Sequence, residues 1–448
     1  MATNVSTQFQ GDMERYIDKK VLRLAQRHLV VHQFATKVPI PTNEGMTYTA
    51  TRFNRVPLPF APLNEGVPPI GETVSISQVT GVAVQWGDKI TLTDVANLTP
   101  KHSTFQQAIR LLSYQVPETY ERNKMVNLLA GTQVNFVNQR GARASIVAGD
   151  VIDPFTVNRT VSNLKTLGAP LWNGPTETEV YKDIEEGPRK AKADPMSHEH
   201  YVMVAHPIVL NDFANNSSVQ LAWSYSDINK LYINEAGQWR GMHFCESNLV
   251  PSFVGVAAVT NTTGTSGSLA TATYYTQVTG SDTQNQYESR IYQISASASV
   301  TGPTGSITVT TPSTAGFTYS VYIGTNSTFT QNLGLSSSGP STGPYAGQAV
   351  QIPPSTTVVI TGIGLAQVPP AAPATGVTVY PSYVFGVDYF FALELEKLTW
   401  TRLTEADKSD PLNQLRVIGW KGWDGVVISN QNFGARIESS ASNTGTFG

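Results

Sequence analysis

From Gly255 to Val387 the chain carries only three charged side chains, Asp282, Glu288 and Arg290, although 14% of the whole sequence is Asp, Glu, Lys or Arg. Thr, Ser, Gly, Tyr and Val fill this stretch, while HFCESNLVPSF before it and DYFFALELEKLTW after it return to an ordinary charged composition. A shift of that kind on both sides marks an insertion, a β-rich module spliced into a host. The host then comprises residues 1–254 and 388–448, and every other motif has to be placed on one side or the other of that division.

With 448 residues, 40% of them hydrophobic, the chain has material for two cores. A net charge of -3 argues against a general nucleic-acid coat, because neutralising phosphates needs a basic surface. The single Cys245 makes no intrachain disulfide and no thiolate zinc site, which fits a reducing cytoplasm. No apolar run reaches the roughly 18 residues that a bilayer crossing needs, and MATNVSTQFQGDMERYIDKK lacks the apolar centre of a signal peptide. A soluble protein without membrane contact is expected.

In the host, Met13, Ile17, Val21, Leu24 and Leu29 recur at near-helical spacing, interleaved with Lys19, Lys20, Arg23 and Arg27, which predicts a basic amphipathic helix over Met13–Ala35. From Lys37 to Thr93 the pattern turns to β: Met46–Arg52, Val74–Val79 and Val82–Trp86 carry Thr, Val and Ile in partial alternation. Between them, Pro57, Pro59, Pro62, Pro68 and Pro69 stiffen the tip of what reads as a long two-stranded arm. Such a ribbon buries little of itself and leaves its edges unpaired, so it requires cover from another subunit. A long helix is predicted over His102–Ala130, with Ser103 as N-cap, Pro117 kinking or splitting it, and Gly131 as its stop.

The string APLNEGVPPIGETVSISQVTGVAVQWGDKITLTD (Ala61–Asp94), followed by QVPETYERNKMVNLLAGTQVNF (Gln115–Phe136), resembles the major capsid proteins of tailed bacteriophages. Within them it is most similar to the branch typified by the coliphage N-four head protein. The pattern resumes in YVMVAHPIVLNDF, GMHFCESNLVPSF and DPLNQLRVIGWKGWDGVVISNQNFGARIES, and fails only across the charge-poor insert.

The resemblance implies an α+β fold of the Hong Kong ninety-seven type with an inserted all-β, immunoglobulin-like sandwich. Its parts would be an N-terminal arm (1–36), an extended loop (37–93), a peripheral domain with a spine helix (94–131), an axial domain with peripheral strands (132–254), the insert (255–387) and a return segment (388–448). It also implies self-assembly into pentamers and hexamers of an icosahedral shell in the bacterial cytoplasm, with portal and scaffold or decoration proteins as partners. Packaged double-stranded DNA would lie on the inner face without sequence-specific contacts. The subunit contact would fall on the extended loop, at Arg52, Arg55, Pro57, Leu58, Pro59, Phe60 and Glu65. Some members of this family join subunits by an isopeptide bond from a loop lysine. Met46–Asp88 has no lysine, so a non-covalent shell is expected.

Motifs for catalysis are missing: the sequence has no GxxxxGK[ST] or HExxH, and GIGLAQ lacks the third glycine of a dinucleotide site. No enzyme activity and no cofactor are expected. His198-Glu199-His200 is the one metal-like cluster, and it reads more simply as a polar approach to the strand Tyr201–Ala205. His206-Pro207 would end that strand and start a helix over Ile208–Phe213, and the charges of Tyr181–Asp194 read as a solvated segment or a contact with a neighbour. Arg140 and Arg143 flank Gly141 in a loop that would face either DNA or an acidic neighbour, and Cys245 reads as a small buried hydrophobe.

Strands in the insert are predicted at Thr271–Val278, Arg290–Val300, Ser306–Thr311, Tyr319–Ile323, Thr356–Gly362 and Val377–Tyr380, enough for one sandwich with its two ends close together. FTYSVYIGTNSTF is similar to a fibronectin or bacterial immunoglobulin-like strand pair. Two function classes follow: a shell protein whose insert decorates its outside, or a surface adhesin whose β-module binds a cell-surface ligand.

Overall fold

The structure, a computed structural model, describes residues 30–41, 43–58, 62, 66, 71–93, 96, 104–173, 199–219, 232, 234–282, 287–327, 332–335, 351–362, 368–403 and 414–442. Residues 1–29, most of the predicted basic helix, lie outside them, as do Ser103, His198 and the charged segment Tyr181–Asp194.

The described chain begins with a single turn, Val31–Phe34, that buries Val31 and Phe34, and the strands β1 (Thr36–Pro39), β2 (Thr47–Phe53), β3 (Ile76–Val82) and β4 (Val84–Thr93). Next is the long helix α1 (Thr104–Leu128), which runs unbroken through Pro117. Pro117 removes the donor for the Ser113 carbonyl, but Ser113 is exposed, so water can take the place of the lost bond and the helix need not split. Then come β5 (Val134–Phe136), α2 (Pro154–Thr166), β6 (Tyr201–Ala205), α3 (Pro207–Ala214), β7 (Glu235–Trp239), β8 (Met242–Glu246) and β9 (Phe253–Val256). Asp153 caps α2 by accepting from Thr156 N at 3.0 Å, with Pro154 at the first helical position. His206 caps α3 through Nδ1, which accepts from Ile208 N at 3.3 Å.

The insert contributes β10 (Asn261–Leu269), β11 (Ala272–Asp282), β12 (Glu288–Tyr292), β13 (Ala298–Val300), β14 (Gly305–Thr310), β15 (Phe317–Gly324), β16 (Asn332–Leu335) and β17 (Thr357–Ile360). The host resumes with β18 (Thr378–Phe385), β19 (Phe390–Glu394), β20 (Thr399–Leu403), β21 (Leu415–Ile428) and β22 (Gly434–Ser439).

Strand β6 shows why the centre of the host is stable. All five residues of YVMVA are buried, and the period of two sends Tyr201, Met203 and Ala205 to one core and Val202 and Val204 to another. The first core lies under α2 and α3, with Val157, Val161, Leu164, Val209, Leu210 and Phe213. The second holds Val30, Val31, Phe34, the end of α1 (Met125, Leu128) and Phe385. Farther along α1, Phe105, Ala108, Leu112 and Val116 pack on Ile418 and Trp420 of β21, which lies between β4 and β20.

The insert forms two sheets around its own core. Strands β10, β14 and β17 make one, β16, β15, β11 and β12 lie in the other, and Tyr274, Val278, Val309, Tyr319, Val321 and Ile360 fill the space between. The predicted strand Arg290–Val300 is two strands that pair with β11 at different places, Ile291 opposite Thr279 and Ser299 opposite Thr273, and between them Gln293 N donates to Val256 O and Ser295 N to Thr276 O.

The segment after Val377 departs from the predicted insert. Strand β18 is buried over seven of its eight residues and pairs with β6 and β22, so it belongs to the host's central sheet. The neck closes earlier, where Gly255 N donates to Val377 O and Gly376 N donates to Gly255 O, each at 2.9 Å. Nor is the insert a separate bead. Strand β12 runs parallel to β9, and β9 pairs with β18, so one sheet passes from host into insert.

Candidate assembly surface

Strands β2 and β3 form a two-stranded antiparallel ribbon in strict register, Thr47 opposite Val82 and Phe53 opposite Ile76. Its base is fixed to the host. Tyr48 and Val79 pack on a cluster of Ile40, Ala83, Leu393 and Val427, and a Cβ on Gly81 would lie 2.8 Å from the Val427 Cβ, so glycine is what lets the ribbon press this close.

Away from the base the cover ends. Phe53 is 71% exposed, Leu58 89%, Val74 64% and Ile76 56%, and Phe53 and Ile76 share a face because they are directly paired. Asn54 pins the far end: its backbone N donates to Ser75 O at 2.9 Å, its Nδ2 to Ser75 Oγ at 3.1 Å, and its Oδ1 accepts from Ser77 Oγ at 3.2 Å. The apolar end is thus a built feature, and burying one such side chain is worth about 1.5–3 kcal/mol.

Of the residues predicted to make the subunit contact, Arg52, Arg55, Pro57 and Leu58 are all exposed on this ribbon, while Pro59, Phe60 and Glu65 lie outside the described residues. Sequence reading missed the stronger features, Phe53, Val74 and Ile76. Their signal was available, since Phe53 ends β2, Ile76 begins β3 and Val74 lies two residues before it, each a large apolar residue at the far end of the ribbon.

Arg143 is turned inward to partners of its own chain, which corrects the expectation that it faces DNA or a neighbour, and Arg140, half-exposed, is tied to Asp150. Arg140 Nε donates to Asp150 at 2.9 Å. Arg143 is 8% exposed; its Nε and Nη2 donate to the two oxygens of Glu438 at 2.8 and 2.6 Å, its Nη1 donates to Ala371 O at 3.0 Å, and it lies 4.0 Å over the Phe253 ring. Arg436 reaches the same carboxylate at 2.9 Å and also donates to Leu129 O behind α1. Burial alone would raise the Glu438 carboxyl; the two guanidinium groups override it and hold Glu438 below the ordinary carboxylate range.

His200 is buried beside Tyr232, Nε2 to Oη at 2.7 Å, with the His243 ring 4.1 Å away. Among the described residues, no cluster of three or more His, Cys, Asp or Glu side chains is arranged to hold a metal. Burial pushes the Cys245 thiol well up, away from the reactive thiolate. No described helix is long and apolar enough to cross a membrane.

No protein-family model and no curated protein sequence matches the chain. Solved structures do. The chain of the Cyanophage Pam1 capsid asymmetric unit aligns over 97% of this chain and 98% of its own, with a TM-score of 0.50 at 9% identity. The capsid of Ralstonia phage GP4 aligns over 99% of this chain and 100% of its own, with a TM-score of 0.49 at 6% identity. The head of Helicobacter pylori bacteriophage KHP40 gives 98% of each chain and a TM-score of 0.49 at 6% identity. The likeness to the Pam1 chain shows the fold: a mixed α/β phage-capsid fold of the Hong Kong ninety-seven type.

Proposed function

We propose that this chain is the major capsid protein of a tailed phage of the N-four-like branch, and that it assembles through its ribbon into an icosahedral shell around double-stranded DNA. The single observation that carries the reading is the ribbon. It is anchored at its base, pinned at Asn54, and apolar at its exposed far end, where no described residue covers it. A second copy supplies the missing cover and removes the unpaired edges. The whole-chain likeness in fold to a phage capsid subunit supports the same reading.

On this reading residues 1–36 are the N-terminal arm, 37–93 the extended loop, 94–131 the spine region, and 132–254 with a return segment that begins at β18, residues 378–448, the axial domain and peripheral strands. The insert is an immunoglobulin-like accessory domain on the outer surface, supported by its two sheets and separate core. The shell is non-covalent, since the ribbon offers no lysine for an isopeptide bond. It forms in the bacterial cytoplasm with portal and scaffold or decoration proteins as partners, and touches DNA only through a sequence-independent inner face.

The test is to shorten the chain between Arg55 and Pro69 and, separately, to make Phe53→Ser with Ile76→Ser. Both proteins should keep the wild-type circular dichroism and sediment as subunits or small oligomers, with no closed particles by negative-stain microscopy. Normal shells from either would overturn the assignment.

A further inference from the structure

The turn Val31–Phe34 enters the core with its leading N–H groups buried, and its N-cap position, Val30, supplies no side-chain acceptor. The acceptor comes from elsewhere in the chain. Glu121, in the second half of α1, takes Val30 N and Val31 N on Oε1 at 2.6 and 2.5 Å and His32 N on Oε2 at 3.0 Å. One carboxylate therefore caps a turn about 90 residues before it in sequence.

The surroundings show why this contact is more than packing. Val30 and Val31 are fully buried and Phe34 nearly so, with Phe34 edge-on to Trp172, Tyr232 and Phe385. Downstream, β1 runs parallel to β19 with Thr36 opposite Phe391. Residues 30–39 thus lie as a strap on a body of later sequence, and Glu121 is the polar fastening at its first three residues, Val30 to His32. An apolar side chain at 121 would fill the same space against the valines but would leave two buried donors, Val30 N and Val31 N, and the half-buried His32 N without their acceptor. Burial pushes Glu121 above the ordinary carboxylate range, opposed by the three backbone donors and Lys124, so the carboxylate is kept here at a cost.

We infer that Glu121 is a positioning residue that fastens residues 30–39 to the subunit body and fixes the path of this strap. The exposed residues of the strap, His32, Gln33 and Lys37, are held in place with it, so a neighbouring copy meets them in one arrangement. The consequence for assembly rests on the capsid reading; the fastening itself does not.

The test uses the full chain with Glu121→Leu and Glu121→Gln, followed by hydrogen exchange on unassembled protein and microscopy of assembled protein. In E121L the amides of residues 30–34 should exchange about 10- to 100-fold faster. Those of α1 and of Tyr201–Ala205 should keep wild-type rates, and particles should be irregular or open. E121Q keeps one acceptor oxygen but turns an amide toward an N–H, and should fall between. Wild-type protection at 30–34 in both variants overturns the inference. So does an equal loss across α1 and the central sheet, or misfolding of E121L together with wild-type behaviour of E121Q, since either shows a purely structural role. If wild-type protein makes no particles while E121L shows the local exchange change, the capsid reading fails and the fastening stands.

Discussion

Replacing Arg143 by Met should cost the subunit about 3 kcal/mol, and the structure sets that size. The substitution deletes two charge-assisted hydrogen bonds to Glu438, at 2.8 and 2.6 Å, one bond to Ala371 O, and the stack on Phe253. Removing one partner from a buried ion pair ordinarily costs about 3–5 kcal/mol, because the other charge is left without compensation. Here Arg436 still reaches Glu438 at 2.9 Å, which places the effect at the lower end of that range.

A double-mutant cycle with Glu438→Gln isolates the pair, with an expected coupling of about 2 kcal/mol at pH 7. The sign with pH is fixed by the depressed carboxyl. Stability from Glu438 is present above the unfolded value, about 4.3, and is lost as pH falls through the lower folded value. The penalty for R143M should therefore shrink in acid. Urea unfolding followed by circular dichroism at several pH values measures all three quantities. A loss below about 1 kcal/mol at pH 7, or additive single mutants, would refute the claim that this carboxylate depends on Arg143.

Two further outcomes are expected. Burial holds the His206 imidazole down at about 4, so the folded protein stays neutral there while the unfolded chain protonates near 6.5; stability should fall by up to about 3 kcal/mol as pH drops from 6.5 to 4, and His206→Asn, which keeps the cap of α3, should flatten that part of a urea-midpoint profile. Replacing residues 257–375 by a short Gly/Ser linker should give a folded, assembling host without a surface protrusion, whereas a deletion extended through Gly386 should not fold because it removes β18; size-exclusion chromatography and negative-stain microscopy separate the two.

The parts of the fold legible in the sequence are those where one short-range pattern decides the outcome. Tyr201–Ala205 with the following Pro gave both a strand and the start of a helix, because an apolar run and a fixed proline φ act locally. The ribbon was legible from alternating Thr and Val around a proline-rich tip. Strand β10 was not, since NTTGTSGSL has no apolar alternation; its glycines serve close approach to β14, where a Cβ on Gly267 would lie 2.3 Å from Gly305 O. The roles of Arg143 and Glu121 were beyond reach for a different reason: their partners lie 295 and about 90 residues away, and no local pattern encodes such a pairing.

The position of the insert follows from sheet edges. Strand β18 accepts β6, β22 and β9, and an edge left open beside β9 in the host alone would be a row of unpaired backbone groups. Strand β12 takes that edge, with Arg290, Ile291 and Tyr292 opposite Val254, Gly255 and Val256. The insert therefore enters where a sheet can be extended instead of at a loop tip, and its root is gripped again by Arg143 at Ala371 and by Tyr287 Oη donating to Leu249 O at 2.8 Å. Two ends hydrogen-bonded to each other and a sheet shared across the boundary hold such a module at a fixed angle, where a flexible tether would let it swing. The charge-poor composition of the segment thus marks a change of surface, while through β12, β9 and β18 one ladder of backbone hydrogen bonds crosses the boundary.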